Sequence, residues 1–544
     1  MASRRDELNA YTFAKRRTVA AFLQPSASGS EEGAPRPLRA VLPGVITAAL
    51  VLVGFGAWGM VKPTAPMGWD TPGDHVIVGK ESTTRYVVLT TEAGGKDRTR
   101  LHPVLNLASA RLLLDPSKGK VVQVADKVLD AGKLPRGPVI GIPYAPDRLP
   151  APADAGTAKR WAVCQQPGGN GKGVQTAVFV LADREAKLMD DGHRLSDSQA
   201  LYVQSAGPDK ARYLVDAAGS KYKFPEGTAD ARTMTRALVG GGAVPQPVTE
   251  EWLATLGSGD DLAFPELPGA TAGTAAGVEG LSGTDDRVGM VLKAVTGSGV
   301  QHYLVLPGEV VPVSDFVAWL MISSPATDRL DMYGKAHEVD LQSVNPDRTS
   351  FKGGAKRWPQ KKTDRVNEVH ASTPDSTPDS AGASASASAS AAGAGRDTIC
   401  SVLRSVDAQG GQTLSTWAGT GFPVDITAGG RGAYVTPGTG LLYTQAQGRQ
   451  TTAGGTLFLV TDTGLRYAVQ ANGDSDATRP SPVPGASTGR GGAATADGRP
   501  EPSQAQDRLG YAEVVPVTVP IAWSEFLSKG PRLDSNSARQ PQGS

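Results

Sequence analysis

The sequence predicts an α+β protein: a single N-terminal transmembrane helix, then an elongated ectodomain of four related α+β repeat modules around a central β-rich core domain. Three observations predict it. Ala40–Val61 runs without a charge. An aromatic residue, branched apolar residues and a turn recur four times after it. The two cysteines, Cys164 and Cys400, end similar strand-like runs.

The chain of 544 residues is long enough for several folded units. Its hydrophobic fraction of 39 % points to folded modules diluted by low-complexity segments. A formal net charge of +1 gives no reason to expect a nucleic-acid partner. Charge is instead uneven along the chain. Residues 1–39 hold Arg4, Arg5, Lys15, Arg16, Arg17, Arg36 and Arg39 against Asp6, Glu7, Glu31 and Glu32.

In that first segment, Ser3 followed by Asp6 and Glu7 reads as a helix start, with a hydroxyl cap and acids in the first turn. Leu8, Tyr11, Val19, Phe22 and Leu23 fall roughly on one helical face with Lys15 among them, and Pro25 ends the helix. Two readings stand. One is an amphipathic helix on the inner leaflet. The other is a docking helix for a cytosolic partner, carried by Leu8, Tyr11, Lys15, Arg16, Arg17, Val19, Phe22 and Leu23. Residues 26–36 read as a linker.

Ala40–Val61 as a helix would cross a hydrocarbon core of ~30 Å. A lone span must be helical, because lipid offers the backbone no hydrogen-bond partners. Arg36 and Arg39 precede it, and after Lys62 no Lys or Arg occurs until Lys80, which places the N-terminus in the cytosol. A cleaved signal peptide is the weaker reading, since the leader and the apolar run are both long and no A-x-A site follows.

In the ectodomain, Arg85-Tyr-Val-Val-Leu, Arg212-Tyr-Leu-Val, His302-Tyr-Leu-Val-Leu and Leu457-Phe-Leu-Val read as strands. Turns follow at Glu92-Ala-Gly-Gly, Ala217-Ala-Gly, Pro307-Gly and Thr461-Asp-Thr-Gly. Helical patterns come next at Leu105–Leu114, Arg232–Val239, Ser314–Met321 and Ile521–Leu527. The irregular spacing argues for modules separated by insertions rather than a tight solenoid. Residues 371–396 and 473–509 are rich in Ser, Ala, Pro and Gly and read as disordered. Outside the cytosol an even cysteine count favours a Cys164–Cys400 disulfide; two buried free thiols are the alternative.

The domain plan that follows has a cytosolic segment 1–39, the membrane helix 40–61 and a first repeat 62–150. A core segment 151–200, a second repeat 201–265, a third 266–345 and a linker 346–370 come next. After the insertion 371–396 lie a core segment 397–440, a fourth repeat 441–472, the insertion 473–509, a return strand and helix 510–533, and a disordered tail 534–544.

Catalytic motifs do not complete. Gly171-Lys172 is followed by Gly173, so the hydroxyl that a P-loop gives to Mg²⁺ is missing. Gly485-Ala-Ser487-Thr-Gly489 matches a nucleophile elbow in letters but lies in a low-complexity stretch without the required strand and helix. His75, His102, His193, His302, His337 and His370 show no paired metal spacing. Asp190-Asp191 and Asp260-Asp261 are adjacent pairs that read as solvated turns. No catalytic residue, metal ligand or cofactor site is expected.

Several motifs resemble one family. Arg5-Asp-Glu-Leu-Asn-Ala-Tyr-Thr-Phe13 with Arg16-Arg17 is similar to the cytosolic signature of EccB, the membrane-anchored core subunit of type VII (ESX) secretion systems. Pro103 with Leu105-Asn-Leu-Ala-Ser-Ala-Arg-Leu-Leu113 resembles its first ectodomain helix. Pro135-Arg-Gly-Pro-Val-Ile-Gly-Ile-Pro143 with Ala145-Pro146, and Trp161-Ala-Val-Cys164, resemble the approach to its core. The resemblance implies a core domain flanked by four repeats with quasi-twofold symmetry and one core disulfide, where Cys164 and Cys400 fall. It implies EccC-like ATPase, EccD-like and EccE-like membrane partners, a mycosin-type protease on the outer side, and self-association within the complex. It also implies possible contact with the cell wall, through a likeness of the repeats to a phage-lysin wall-binding fold. The implied function is scaffolding of the export of small helical WXG-type proteins across the cytoplasmic membrane. ATPase activity has been attributed to some members, but without a P-loop it is not carried over. The alternatives are a wall-binding membrane anchor and an extracytoplasmic nucleotide hydrolase.

Overall fold

The computed structural model describes residues 3–23, 37–61, 65–92, 97–116, 118–168, 173–267, 269–297, 299–340, 346, 351, 356–368, 395–426, 431–447, 456–469 and 503–542. Two helices come first, α1 (Arg4–Leu23) and α2 (Pro37–Val61). The rest is sheet-rich. Its strands are β1 (His75–Gly79), β2 (Arg85–Glu92), β3 (Asp97–Val104), β4 (Lys120–Val124), β5 (Arg160–Pro167) and β6 (Val174–Leu181). Then come β7 (Gln199–Ser205), β8 (Arg212–Asp216), β9 (Ser220–Lys223), β10 (Gln246–Val248), β11 (Gly257–Ser258), β12 (Val291–Thr296), β13 (Gly299–Leu306), β14 (Glu309–Val313), β15 (His337–Glu338) and β16 (Asp364–Arg365). The last are β17 (Thr398–Val406), β18 (Gln412–Gly419), β19 (Arg431–Val435), β20 (Gly440–Ala446), β21 (Leu457–Thr461), β22 (Leu465–Val469), β23 (Val517–Pro520) and β24 (Ser528–Lys529).

These strands form five sheets. Four are antiparallel three-strand meanders extended by parallel strands that return after a helix. The first sheet runs β3-β2-β1-β4 and the third runs β14-β13-β12-β15, each with the late strand parallel to the first strand of the meander. The second runs β10-β7-β8-β9-β11 and the fourth β23-β20-β21-β22-β24, each flanked by a parallel strand on both edges. The expected aromatic-led strands are β2, β8, β13 and β21. The expected turn at Glu92-Ala-Gly-Gly lies mostly outside the described residues.

Local chemistry is shared within each pair of sheets. Gly219 and Gly464 turn one strand into the next at φ of 77° and 76°, a left-handed conformation that costs glycine little. Tyr86 opposes Pro103 in the first sheet and Tyr303 opposes Pro312 in the third. Val248, Trp252, Leu256, Gly259 and Leu262 close the second sheet; Val519, Trp523, Leu527, Gly530 and Leu533 close the fourth at the same spacings. A Cβ on Gly259 would lie 2.1 Å from Tyr222, and one on Gly530 would lie 2.5 Å from Tyr467. Each glycine therefore lets the returning chain cross the face of a buried tyrosine.

The central sheet has the order β18-β17-β5-β6-β19. Its middle pair, β5 and β17, is antiparallel, with Cys164 directly opposite Cys400. Apolar cores join the sheets in a definite pattern. One core is shared by the second and third sheets, including Tyr202, Phe224, Met290, Leu304 and Phe316. Another is shared by the first and fourth, including Val87, Leu112, Leu442 and Leu459. A third sets the second and fourth sheets on the central one through Trp161, Val163, Trp252, Tyr443 and Trp523.

Three expectations about irregular segments need correction. Residues 534–544 were expected to be a disordered tail, yet Ser535–Arg539 is helical, capped by Asp534, with Ala538 fully buried. Within 473–509, expected to be disordered throughout, Gln504–Arg508 is helical, with Ser503 capping it and Leu509 buried. Flanking Ser, Pro and Gly mask these short helices, which gain their stability from tertiary burial rather than from propensity. Residues 356–368, expected as linker, form a strap. β16 pairs with β7, and buried Asn367 accepts from the Tyr202 N–H (2.8 Å) and donates to the Tyr202 carbonyl (2.9 Å), as a strand would.

Candidate functional site

The candidate residues from the sequence lie in two places. The first is the N-terminal pair of helices. α1 begins after Ser3, whose N–H donates to Asp6 Oδ2 and whose Oγ accepts from the Arg5 N–H. Leu8, Tyr11, Val19 and Phe22 are all exposed on it, Phe22 at 92 %, and Lys15, Arg16 and Arg17 are exposed as well, while the side chain of Leu23 lies outside the described set. In α2, Val45, Ile46, Leu50, Val51, Leu52, Val53 and Phe55 are exposed, and Thr47 returns its hydroxyl to the Pro43 carbonyl (2.7 Å). Apolar side chains at this density need a partner or a lipid environment. Among the described residues no helix is long and apolar enough to cross a membrane. α2 is 25 residues over its backbone, but the side chains at 37–40, 42 and 56–61 lie outside the described set.

The second place is the heart of the central sheet. Cys164 and Cys400 form a disulfide, so the free-thiol alternative is set aside. Both are fully buried among Ala162, Phe179, Met189, Val402 and Trp417. Trp252 Nε1 donates to the Val163 carbonyl (2.9 Å), fixing the second sheet on the strand that carries Cys164. Trp523 Nε1 reaches Gln412 Oε1 (3.3 Å) from the fourth sheet.

Asp190, Asp191 and Asp261 are exposed, the first two on bends as expected, and the pairs also take structural partners. Asp190 accepts from Arg404 (2.6 Å) and from Arg160, so it ties β17 to β5 from one side. Burial works to raise its pKa, but the hydrogen bonds from Arg404 and Arg160 outweigh it and hold the carboxyl below the usual range. Asp191 accepts from Trp417 Nε1 (2.9 Å). Asp260 accepts from the Arg357 N–H (2.7 Å), anchoring the strap. Adjacent sequence position said nothing of these partners, which come from strands far apart in the chain.

The histidines scatter. His302 pairs with Asp315 (2.8 Å) and His337 with Asp285 (2.9 Å). His102 is buried against Gly137, its Nδ1 beside the Pro138 carbonyl, and burial lowers its pKa. His75 sits in β1 and His193 lies tilted beside the Trp417 ring; His370 lies outside the described residues. Among the described residues no group of three or more His, Cys, Asp or Glu could hold a metal ion. The loop at Gly171-Lys172 and the run Gly485–Gly489 also lie outside the described residues.

The V-x3-W-x3-L-x2-G-x2-L pattern of Val248–Leu262 recurs at Val519–Leu533. It marks the packing of the second and fourth sheets more sharply than the strand signals did.

Comparison with known proteins gives a consistent result. The model of the family described as "Type VII secretion system ESX-1, transport TM domain B" (EccB) matches residues 1–543. A relative from Mycolicibacterium smegmatis, "ESX-3 secretion system ATPase EccB3", is 28% identical over 477 residues, covering 82% of this chain and 80% of its own. "ESX-2 secretion system ATPase EccB2" of Mycobacterium tuberculosis is 30% identical over 332 residues, 59% of each chain. Among solved structures, a chain of an intact ESX-5 inner membrane complex has a TM-score of 0.51 at 20% identity, covering 100% of this chain and 96% of its own. A chain of the EccB3 dimer from the ESX-3 core complex has a TM-score of 0.52 at 22% identity, covering 86% and 99%. At such identities the structures speak for the fold.

Proposed function

The chain belongs to the EccB family, structural components of the type VII secretion system, and from that premise we propose that it is a single-pass scaffold of the secretion complex. In this reading Ala40–Val61 crosses the cytoplasmic membrane with residues 1–39 in the cytosol. The four meander sheets are divergent repeats standing outside. The observation that carries the reading is the family match along the whole chain, joined to two N-terminal helices whose apolar residues lack partners within the described residues. The mechanism is positional. α2 packs among lipid and neighbouring helices, and α1 docks cytosolic subunits through Leu8, Tyr11, Lys15, Arg16, Arg17, Val19, Phe22 and Leu23. The ectodomain braces an exit path for small helical WXG-type proteins.

EccC-like, EccD-like and EccE-like subunits are the proposed partners, with a mycosin-type protease outside. Relatives are described in an ESX inner membrane complex and as a dimer, which supports assembly and self-association. The test is affinity purification of the tagged full-length protein in mild detergent. Co-purification of EccC- and EccD-like proteins, lost on deleting residues 1–25, is the expected result. A clean monomer, under conditions that preserve other membrane complexes, overturns the scaffold reading.

A second reading rests on the word ATPase in the names of the relatives. Here the P-loop lacks its Ser/Thr after Lys172. ATP turnover by the purified protein that disappears in Lys172→Ala would favour a hydrolase; turnover unchanged by that substitution would exclude this loop.

A further inference from the structure

The second and fourth sheets leave their last turn at matching points. The Leu262 N–H donates to the Lys223 carbonyl and the Leu533 N–H to the Ala468 carbonyl. The first and third sheets are entered alike, the Gly73 N–H bonding the Val88 carbonyl and the Gly289 N–H the Val305 carbonyl. From Leu262 the chain runs on through residues 263–290 into the third sheet, with no other sheet between, so the second and third sheets are linked covalently. The fourth sheet cannot be followed by its partner in this way, because that partner comes before it in the chain. Its packing partner is the first sheet, at the other end of the chain.

Residues 534–542 cross this gap. Leu533 bridges to Val469 in the fourth sheet, and Pro541 bridges to Ile140 beside the first. The Gln542 N–H donates to the Val139 carbonyl (2.9 Å), and Gln542 Nε2 donates to the Gly141 carbonyl (2.7 Å). Two arginines complete the joint. Arg508 Nη1 donates to the Leu112 carbonyl (2.8 Å) and to Ser535 Oγ (3.2 Å), while Arg111 Nη1 donates to the Leu509 carbonyl (2.9 Å). Each arginine thus satisfies the open C-terminal end of the other's helix, where carbonyls lack intrahelical donors.

We propose that residues 534–542 are a strap that locks the first module onto the fourth, standing in for the covalent link that the second and third modules possess. Loss of the strap loosens the first module, the one that follows α2, leaving it held to the fourth by their shared core and the two arginines, while the second and third stay tethered. The strap thereby sets the stiffness of the joint nearest α2. The proposal uses the anchor reading only in placing the first module next to the membrane.

Hydrogen exchange on the full-length protein in detergent tests it. Deleting 534–542 should speed exchange of the Leu105 and Ile140 amides at least about tenfold, and leave the core amides of 291–322 unchanged, because local opening is governed by local contacts. A Val139→Cys, Gln542→Cys pair, once oxidised, should slow exchange at Leu105 and Ile140 below the native rate. Gln542→Ala, which keeps the strap backbone, should raise it about threefold, less than the deletion does. Unchanged exchange at Leu105 and Ile140 in both the deletion and Gln542→Ala overturns the proposal, as does equal loosening of 291–322. If the deletion variant does not fold, Gln542→Ala and the cysteine pair decide: no effect in either overturns it. These amides report on the joint whether or not Ala40–Val61 spans a bilayer.

Discussion

Replacing both Cys164 and Cys400 by alanine should cost several kcal/mol and act first at the seam of the central sheet. The bridged residues are separated by 236 positions. Chain entropy for a loop of that size gives ~5 kcal/mol, with typical measured values of about 2–4 kcal/mol. Both cysteines are fully buried against Phe179, Met189 and Trp417, so lost sulfur contacts add about 1 kcal/mol. Against a domain stability of ~5–15 kcal/mol this is a large share. The assay is denaturant unfolding of the full-length protein followed by tryptophan fluorescence, because Trp161 and Trp417 flank the bridge on β5 and β18. A clear drop in the midpoint is expected, with native spectra before the transition. A midpoint shift equivalent to less than about 1 kcal/mol would refute the reasoning, since the bridge would then not constrain the unfolded chain as the loop length demands.

Gly259→Ala should destabilise more than Gly530→Ala. Its Cβ meets both the Tyr222 ring at 2.1 Å and the Arg357 carbonyl at 2.8 Å, whereas the atoms nearest a Cβ on Gly530 all belong to the Tyr467 ring, from 2.5 Å. About 3 kcal/mol against 1–2 kcal/mol is expected from overpacking, read as unfolding midpoints. Asp216→Asn should be neutral or stabilising at pH 7.5. Burial raises the carboxyl's pKa despite donors from the Ser220 N–H and Tyr222 hydroxyl. The stabilising contribution of a raised acid is full below its unfolded pKa and lost as pH rises through the folded one. The variant should therefore flatten the loss of stability from pH 4 upward, seen in midpoints across that range. Trp252→Phe should cost about 1–3 kcal/mol by losing the hydrogen bond to the Val163 carbonyl and leaving a gap where the fully buried indole packs. Trp523→Phe should cost less, because its partner is the exposed side chain of Gln412.

Much of the fold was legible locally. The strands at Arg85, Arg212, His302 and Leu457 announce themselves because an aromatic and branched apolar residues followed by a tight turn suit a half-buried hairpin. The Ser314 start of the Asp315–Ile322 helix was legible too, since a hydroxyl cap is a local interaction. The strap at 356–368 was not. Asn367 reads as a loop residue until Tyr202 is beside it. Nor was the role of Asp190, whose two arginines arrive from Arg160 and Arg404. The low-complexity neighbours of Leu509 and Ala538 hid short helices that exist only because another module buries them.

The sequence by itself determined the family, the charge-free run at Ala40–Val61, the strand signals and the two cysteines. Each is written in residue type and short spacing, where propensity and hydrophobicity act. The tertiary structure decided which sheets share a core, that Cys164 faces Cys400, and that the chain's last residues close on its first module. Those are contacts between segments hundreds of residues apart. They are selected by the summed burial of complementary surfaces, and no local pattern encodes that sum.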